Sequence, residues 1–430
     1  MTNGGAVRFV SPTIKRRNEA ARRRARPGEG NALTTTTAHR AGAGLIILIC
    51  FFIAALEGYD IQAFGVAAPK LVPQLGLNPG QQGWAASAAM VGLVIGAMGG
   101  GWLADRIGRK PVLLVSVVAF GIFSIATAMS FDYQTLLLAR LATGLGFGGA
   151  MPNLIAIATE ISPPHRRAAT VTTMFCGMPA GGAAVALLTR FGGDALDWHT
   201  IFYLGGALPL LLAPVIFLLL PETRPQPQAG ADRRLLQALF GGGRAVATLL
   251  LWLVFVLTLV VLYLMLNWLP TLVIAKGLAA ADGSAASLSF NLTSIAGALI
   301  LGFVVDRAGF RWPLILTYGV LAATMFVLAS ATGLTPVLVL SGLAGFMVLG
   351  AQYSLYAVAP MLYPPQVRAS GAGAAVAVGR LGSIMGPLVA GELRQAGYSA
   401  GQVFGVMTPV VLCAGLAALA LSYVARPHAD

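Results

Sequence analysis

Two carboxylates, Glu57 and Asp60, lie inside an apolar run that extends from about Ala43 to Ala68. A carboxylate in hydrocarbon costs roughly 2.5–3.5 kcal/mol on insertion scales, so it requires a partner, a proton or a water-filled cavity. Residues three apart on a helix share a face. We therefore expect both side chains to face one cavity and to have a functional role.

The composition places these carboxylates in a membrane protein. Of the 430 residues, 57% are hydrophobic and only 10% are charged, and the mean hydropathy is +0.79. A soluble protein of this length is less apolar. The leucine- and alanine-rich runs lack the alternation of barrel strands, so we predict an all-α membrane protein. Its cysteines, Cys50, Cys176 and Cys413, all fall within apolar runs and indicate neither a disulfide framework nor a metal site.

The apolar runs and the breakers between them predict twelve transmembrane helices in two groups of six. A basic arm (1–42) precedes the first group (43–220), a polar, proline-rich linker (221–245) separates the groups, and a short tail (425–430) follows the second group (246–424). The helices are expected near 43–68, 82–104, 112–130, 135–160, 168–190, 198–220, 246–271, 284–304, 313–331, 335–359, 369–391 and 402–424.

The distribution of basic residues predicts the orientation. With the N-terminus in the cytoplasm, the opposite side keeps only Lys70, Arg190, Lys276 and Arg394. The cytoplasmic side then holds Arg106, Arg109, Lys110, Arg166, Arg167, Arg224, Arg233, Arg234, Arg244, Arg307, Arg311, Arg368 and Arg426. This is the positive-inside pattern, so both termini are predicted to be cytoplasmic. The net charge of +13 thus indicates topology and contact with anionic membrane lipid, and no nucleic-acid partner.

An internal repeat relates the two groups of helices. The segment Gly101-Trp-Leu-Ala-Asp105-Arg106-Ile-Gly108 recurs as Gly302-Phe-Val-Val-Asp306-Arg307-Ala-Gly309, an offset of 306 − 105 = 201 residues. At the same offset, Pro163-Pro164-His-Arg-Arg167 maps onto Pro364-Pro365-Gln-Val-Arg368. We therefore predict two homologous six-helix bundles, with a substrate site between them near the membrane midplane.

The repeat also sorts the charged residues. Asp105 and Arg106 recur as Asp306 and Arg307, as expected for a duplicated cytoplasmic latch. The charges inside the predicted membrane region have no charged counterpart. Glu57, Asp60, Arg140 and Arg380 correspond to Thr258, Val261, Ser341 and Pro179. A membrane-embedded charge that occurs in one half only indicates function more than architecture.

After residue 42, the chain resembles the major facilitator superfamily. The loop Gly101-x-x-x-Asp105-Arg106-x-Gly108-Arg109-Lys110 is similar to the superfamily's helix 2–3 signature. Arg140-x-x-x-Gly144-x-Gly146-x-Gly148 resembles the helix 4 motif of its proton-coupled members, and Pro221-Glu222-Thr223-Arg224 resembles the ending of the first half.

A narrower resemblance is to the aromatic acid:proton symporters. It rests on Glu57-Gly-Tyr-Asp60 with Gly65-x-x-x-Pro69, on Asn267-Trp268-Leu269-Pro270, and on Gly379-Arg380-Leu-Gly-Ser-Ile-Met-Gly386-Pro387. That family usually has Asp at the position of Glu57, so this chain keeps the charge and lengthens the side chain by a methylene.

The resemblance implies that helices 1, 4, 7 and 10 line a central cavity, while helices 2, 5, 8 and 11 support and gate it. Because Asp60 and Arg140 are expected at similar depths, we predict an ion pair that opens when Asp60 is protonated. Glu57 is the second candidate proton carrier. The alternative is a static pair that only orients helices 1 and 4.

Arg380 is the predicted partner of the substrate carboxylate, because a planar guanidinium binds a carboxylate with two hydrogen bonds. The alternative is an arginine that pairs with a neighbouring carbonyl or with Glu392. Aromatic and polar side chains are expected to line the site, although each of them is also consistent with packing. They are Tyr59, Phe64, Asn267, Trp268, Gln352, Tyr353 and Tyr356.

The cytoplasmic loops are predicted to form a gate. The alternative is that their charged residues only fix the membrane topology. The residues assigned to it are Asp105, Arg106, Arg109, Glu160, Asp306 and Arg307.

The predicted function is proton-coupled uptake of an aromatic carboxylate, such as a hydroxybenzoate, by a monomer in the bacterial inner membrane. The proton is the coupling ion, and no other cofactor is expected. Alternatives are transport of another small organic anion and proton-antiport export. A sensor is disfavoured because no soluble signalling domain is evident. The sequence lacks the Gly-x-x-x-x-Gly-Lys-Ser/Thr loop of an ATP-driven pump, and no nucleophile and base suggest an enzyme.

Overall fold

The computed structural model describes residues 29–163, 167–220, 222, 239–364 and 367–424, without the side chains of 29–41, 168, 194, 306 and 369. It distinguishes two compact units, Met1–Ile47 and Leu48–Asp430. Most of the predicted arm, most of the linker and the tail lie outside the described residues. The division of the chain at these segments therefore stays a prediction.

In the part of the chain that the structure describes, twelve helical segments are long and apolar enough to cross a membrane, which confirms the predicted all-α fold. The first half contains α1 (Glu29–Gln74), α2 (Pro79–Ile107), α3 (Arg109–Ala128), α4 (Tyr133–Ile161), α5 (Arg167–Phe175 and Gly177–Gly192) and α6 (Trp198–Leu219). The second half contains α7 (Ala245–Ala275), α8 (Ala280–Ala308), α9 (Arg311–Ser330), α10 (Leu334–Met361), α11 (Arg368–Gln395) and α12 (Ala400–Val424).

Two helices differ from the sequence prediction. Helix α1 extends back to Glu29, inside the predicted arm, while its membrane-spanning part begins at Gly42, close to the predicted start near residue 43. Helix α5 is interrupted at Cys176. Pro179 has no N–H to donate to the carbonyl group of Phe175 four residues earlier, so the helical ladder loses a bond where the first segment of α5 ends.

Polar side chains set the starts of α2 and α4. Asn78 accepts a hydrogen bond from the Gln81 N–H at 2.8 Å, and Asp132 accepts one from the Thr135 N–H at 2.8 Å. These are N-cap bonds to donors that have no partner within the helix. The bonds from Thr135 also hold the pKa of Asp132 below its usual value. Between α2 and α3, Gly108 has φ +99°, a conformation that favours glycine.

Close glycine contacts repeat in the two halves at the offset found in the sequence. A Cβ on Gly144 would lie 2.0 Å from the carbonyl oxygen of Ala89, and a Cβ on Gly345 would lie 2.1 Å from that of Phe290. The two glycines are 345 − 144 = 201 residues apart, and the residues they contact are 290 − 89 = 201 residues apart. The packing of α4 on α2 is thus reproduced by α10 on α8, as small interface residues permit between membrane helices.

The two halves meet where α2 crosses α11. The Ser87 hydroxyl donates to the carbonyl oxygen of Ile384 at 2.7 Å, and the Gly80 N–H donates to Gln395 Oε1 at 3.3 Å. These residues belong to the part of each helix that is nearer the predicted external side. The described contacts between α2 and α11 therefore hold the halves together at that end.

Replacing Gly144 with Ala is expected to lower stability, because the new methyl group meets a backbone carbonyl that cannot rotate away. Overpacking of this kind costs about 1–3 kcal/mol. Thermal unfolding in detergent measures the effect. Gly99→Ala on α2 is the control, because a Cβ there has nothing within 4 Å. Equal melting temperatures for the two variants would contradict the close contact.

Candidate functional site

Asp60 and Arg140 form a buried ion pair between α1 and α4. Arg140 Nη1 lies 2.7 Å from Asp60 Oδ2, and both side chains have 0% exposure. The Ser124 hydroxyl, on α3, approaches Asp60 Oδ1 at 3.3 Å. The rings of Phe64 and Phe202 have their centroids 5.3 and 5.8 Å from the guanidinium carbon of Arg140. The structure therefore brings together the pair expected from the sequence, within a sealed environment.

The guanidinium of Arg140 has more donors than this environment uses. Within the described residues, Arg140 Nε and Nη2 have no hydrogen-bond partner. The single carboxylate of Asp60 consequently supports the whole buried cation. Loss of one member of such a pair leaves an uncompensated buried charge, which is strongly destabilising.

Glu57 is buried one helical turn before Asp60. It is 1% exposed, and its Oε1 atom has no hydrogen-bond partner among the described residues. Its carboxylate is within electrostatic range of both Asp60 and Arg380. Glu57 is thus an acidic group that interacts electrostatically with both the sealed pair and the arginine of the second half.

A cavity lies between the two halves, with about 670 Å³ of space free of protein atoms when the solvent at its opening is included. Its walls come from α1, α5, α7, α8, α10 and α11. The expectation that helix 4 lines the cavity is wrong for this structure, since Arg140 of α4 is turned to Asp60. Helices α5, α8 and α11, expected only to support and gate, contribute wall residues.

The two carboxylates do not face this cavity, contrary to the sequence prediction. Gly58 and Ile61 are the wall residues of α1. Glu57 and Asp60 lie on the adjacent face of the helix, where Asp60 meets α3 and α4. The rotation of α1 buries both side chains in protein.

Arg380 lines the cavity from α11, and Arg380 Nη1 donates to the Tyr263 hydroxyl at 2.9 Å. The alternative partner Glu392 is wrong, because it lies 392 − 380 = 12 residues further along the helix, about 18 Å at 1.5 Å per residue. Tyr263 was missed. Its hydroxyl group within the apolar run of α7 was the available signal.

Aromatic rings form one wall of the cavity. Phe175 of α5 stacks on Tyr356 of α10 with centroids 6.3 Å apart, and it meets Tyr353 edge-on at 6.4 Å. Gln352 and Tyr353, both predicted from sequence, are wall residues. Gln352 is 2% exposed, and neither of its amide atoms has a hydrogen-bond partner among the described residues.

Four predicted lining residues lie elsewhere, and one of them, Phe64, packs against Arg140. The Tyr59 hydroxyl donates to the Ile201 carbonyl oxygen at 3.1 Å, in the contact between α1 and α6. Asn267 donates to the carbonyl oxygen of Tyr263 in its own helix at 2.9 Å. The Trp268 indole donates to the Pro387 carbonyl oxygen at 3.1 Å and holds α7 to α11. These side chains are packing and crossing contacts because their helix faces point away from the cavity.

A polar bridge between the halves was also missed by sequence reasoning. Gln62 of α1 donates to the Leu266 carbonyl oxygen at 2.9 Å and accepts from the amide of Asn291 of α8 at 3.0 Å. The Asn291 amide also donates to the Ser287 carbonyl oxygen at 2.9 Å. This bridge closes one side of the cavity, of which Asn291 is a wall residue. A glutamine two residues after Asp60 was the sequence signal.

The predicted cytoplasmic latch is only partly assembled in this structure. Arg109 forms an ion pair with Glu160 of α4. Its backbone N–H donates to Glu222 Oε1 at 3.0 Å, a contact not expected from the sequence.

The remaining latch residues do not join that pair. Arg106 stacks on Trp102 at 3.8 Å, and Arg307 on Phe303 at 4.2 Å. Asp105 is exposed and has no ion pair within the described part of the chain. The side chain of Asp306 lies outside the described residues.

A family model of the Major Facilitator Superfamily matches residues 50–387. The chain is 40% identical over 391 residues to the 3-(3-hydroxy-phenyl)propionate transporter of Escherichia coli (strain K12), covering 90% of this chain and 97% of that protein. The chain belongs to the aromatic acid family of the Major Facilitator Superfamily.

A second relative in this family is the 4-hydroxybenzoate transporter PcaK of Pseudomonas aeruginosa. It is 34% identical over 412 residues, which cover 87% of this chain and 91% of that protein. Among solved structures, a bacterial homologue of the human lysosomal transporter Spinster has the same fold, with a TM-score of 0.71, 17% identity, and coverage of 89% of this chain and 97% of that one. The predicted family is confirmed, and the chain is a multi-pass membrane transporter and no enzyme.

Substituting Arg140 with Met is expected to destabilise the protein, because Asp60 is left buried without its partner. Breaking a buried pair in this way costs about 3–5 kcal/mol. Adding Asp60→Asn should recover part of the loss. Thermal unfolding of the two single variants and the double variant measures this coupling. Arg190→Met is the control, since Arg190 is exposed. Additive effects would show that the two residues do not depend on each other.

Proposed function

We propose that the chain takes up an aromatic carboxylate, such as a hydroxybenzoate, together with protons by alternating access. The proposal places it in a bacterial inner membrane with both termini in the cytoplasm. The observation that carries it is the combination of an arginine in an aromatic-walled cavity with a separate, sealed carboxylate–guanidinium pair.

The cavity fits the chemistry of an aromatic acid. Its walls are mostly apolar and aromatic, with a few polar groups such as Arg380, Gln352 and Asn291, as is usual for small-molecule sites. The guanidinium of Arg380 matches a carboxylate, and the rings of Phe175, Tyr353 and Tyr356 offer flat apolar surfaces. The names of the two relatives above also describe transport of hydroxylated aromatic acids.

The Asp60–Arg140 pair fits the coupling step. An arginine does not usefully release its proton, so protonation of Asp60 is the chemical change that breaks the pair. The breakage leaves Arg140 buried without a counter-ion and therefore favours a rearrangement of α1 and α4. Glu57 is the available second proton site, because it lies within electrostatic range of Asp60.

The number of protons decides which gradients drive transport. One proton with a monoanion makes the cycle electroneutral, so the pH difference and the substrate gradient alone drive it. A second proton adds the membrane potential, worth about 2.3 kcal/mol per elementary charge per 100 mV.

Alternating access requires the contacts between the halves to break at one end and form at the other. The bonds between α2 and α11, with the bridge from Gln62 to Asn291, are the ones that would open on the external side. The ion pair of Arg109 with Glu160, two residues assigned to the predicted cytoplasmic gate, lies within the first half and is not a contact between the halves.

Proteoliposomes with an imposed pH gradient test the whole proposal. Labelled 4-hydroxybenzoate should accumulate when the interior is more alkaline, and a protonophore should abolish the accumulation. Competition by a panel of aromatic and aliphatic acids defines the substrate class. Accumulation under the opposite pH gradient would indicate an antiporter, and competition by aliphatic acids alone would indicate another organic anion.

Asp60→Asn should abolish uphill accumulation, because the amide cannot carry a proton. Exchange of labelled for unlabelled substrate at equal pH should persist, since it needs no net proton movement. Both assays use the same proteoliposomes. Glu392→Gln, at an exposed position of α11, is the matched control and should accumulate substrate normally. Normal accumulation by Asp60→Asn would refute the assignment of the proton carrier.

Arg380→Lys should weaken substrate binding, because an ammonium cannot make the paired bonds of a guanidinium. Loss of a hydrogen bond to a charged group, worth about 1.5–3 kcal/mol, corresponds to an affinity about 10- to 100-fold lower. Equilibrium binding in detergent gives the value. Arg394→Lys, near the exposed end of the same helix, controls for the substitution. Unchanged affinity in Arg380→Lys would argue against recognition by two hydrogen bonds.

A further inference from the structure

Gln352 is a polar residue whose hydrogen-bonding capacity is unused. It lies on α10 in the wall of the cavity, is 2% exposed, and has neither Nε2 nor Oε1 bonded to any described residue. A buried amide without partners has lost the hydrogen bonds it made in water and gained none in the protein, which is destabilising. Such groups are uncommon in native proteins and call for an explanation.

The other buried amides of the described residues each have a partner. Asn153 donates to Gly149 at 2.8 Å, and Asn267 donates to Tyr263 at 2.9 Å. Gln62 and Asn291 bond each other at 3.0 Å, and Gln82 approaches Thr271 at 3.4 Å. The lack of partners at Gln352 is thus a property of its place in the cavity wall.

The internal repeat indicates that this amide is not part of the duplicated scaffold. Subtracting 201 places Met151 at the equivalent position of the first half, and Met151 is buried and apolar. The same subtraction gives Pro179 as the residue equivalent to Arg380. Gln352 and Arg380 are therefore both polar wall residues that occur in the second half only.

The chemistry of the amide selects its partner. A carboxamide presents one donor group and one acceptor, whereas a carboxylate only accepts. A carboxylate at Gln352 would leave Oε1 unsatisfied, while a hydroxyl group donates to Oε1 and accepts from Nε2. Arg380, the cation of the wall, is the better partner of the carboxylate.

We infer that Gln352 binds the ring hydroxyl of the aromatic acid and makes the cavity prefer hydroxylated acids over their unsubstituted counterparts. This inference rests on the proposed function, because it takes the aromatic carboxylate at Arg380 as given. It adds the residue that sets the choice among such acids. A site built to bond a hydroxyl discriminates against the analogue that lacks it, since its own polar atoms then stay unpaired.

Equilibrium binding in detergent, with two ligand pairs that differ only by a hydroxyl group, tests the inference. The pairs are 4-hydroxybenzoate with benzoate, and 3-(3-hydroxyphenyl)propionate with 3-phenylpropionate. Wild-type protein should prefer the hydroxylated member of at least one pair by about 5- to 100-fold, since the unsubstituted acid leaves the buried amide of Gln352 unsatisfied. In Gln352→Leu the ratio should fall to near 1, because affinity for the hydroxylated acid drops and affinity for the other does not.

Each ratio is measured within one variant, so a general loss of affinity cancels. Ser354→Ala is the matched control. Ser354 is buried on the same helix, bonds the Gly350 carbonyl oxygen of its own helix at 2.8 Å and is not a wall residue, so its ratio should equal that of the wild type. Gln352→Met replaces Gln352→Leu if the latter does not fold.

The outcomes separate this inference from the proposed function. Binding of both members with an unchanged ratio in Gln352→Leu, or an equal loss for both members, overturns the role of Gln352 and leaves the aromatic substrate standing. A wild-type protein that binds the acids without preference has the same consequence. A wild-type protein that binds none of the four acids overturns both proposals.

Discussion

Burial of charge where the surroundings cannot solvate it is the constraint on which the rest of this structure depends. Among the described residues, Arg140 is fully buried in the first half and Arg380 is partly buried in the cavity wall of the second. Arg140 is neutralised by Asp60 at 2.7 Å, and Arg380 is held by the Tyr263 hydroxyl at 2.9 Å. Each arrangement fixes the rotation of at least two helices, because the polar partners come from different helices and must meet. The positions of the cavity, its aromatic wall and the sealed ion pair depend on these two arginine contacts.

Arg140 and Arg380 differ in their access to the cavity. The Asp60–Arg140 pair has 0% exposure and is separated from the cavity, whereas Arg380 lines it. Glu57 is within electrostatic range of both Asp60 and Arg380. Under the proposed function, an anionic substrate beside Arg380 places a negative charge near Glu57. Mutual repulsion of the two anions then links substrate occupancy to proton occupancy without direct contact between the substrate and Asp60.

In this chain the helix-packing contacts are duplicated, and the charged residues of the interior are not. The contacts of Gly144 with Ala89 and of Gly345 with Phe290 are the same contact in two halves, and they are backbone packing. The polar groups of the interior break the symmetry, since Arg140 corresponds to Ser341 and Gln352 to Met151. A duplicated scaffold thus gives the two halves equivalent helix packing, and substitutions in one half only give each its own charge.

The sequence by itself determined the twelve helices, the repeat and the Asp60–Arg140 pair. The length of each apolar run, the fixed offset of the repeat and the cost of an unpaired charge in the membrane can all be inferred from the sequence without a structure. The extension of α1 back to Glu29 and the interruption of α5 at Cys176 were not predicted, and the effect of Pro179 is evident only when the backbone hydrogen bonds of α5 are followed.

Only the tertiary structure decided which side chains meet the cavity. Tyr59, Asn267 and Trp268 were expected there and lie in helix contacts, while Tyr263 and Phe175 line it. The physical reason is that α1 and α7 are apolar on nearly every face, so their sequences carry no periodic signal of orientation. The rotation of such a helix is set by close packing and by polar partners on other helices, as Gln62 and Asn291 show.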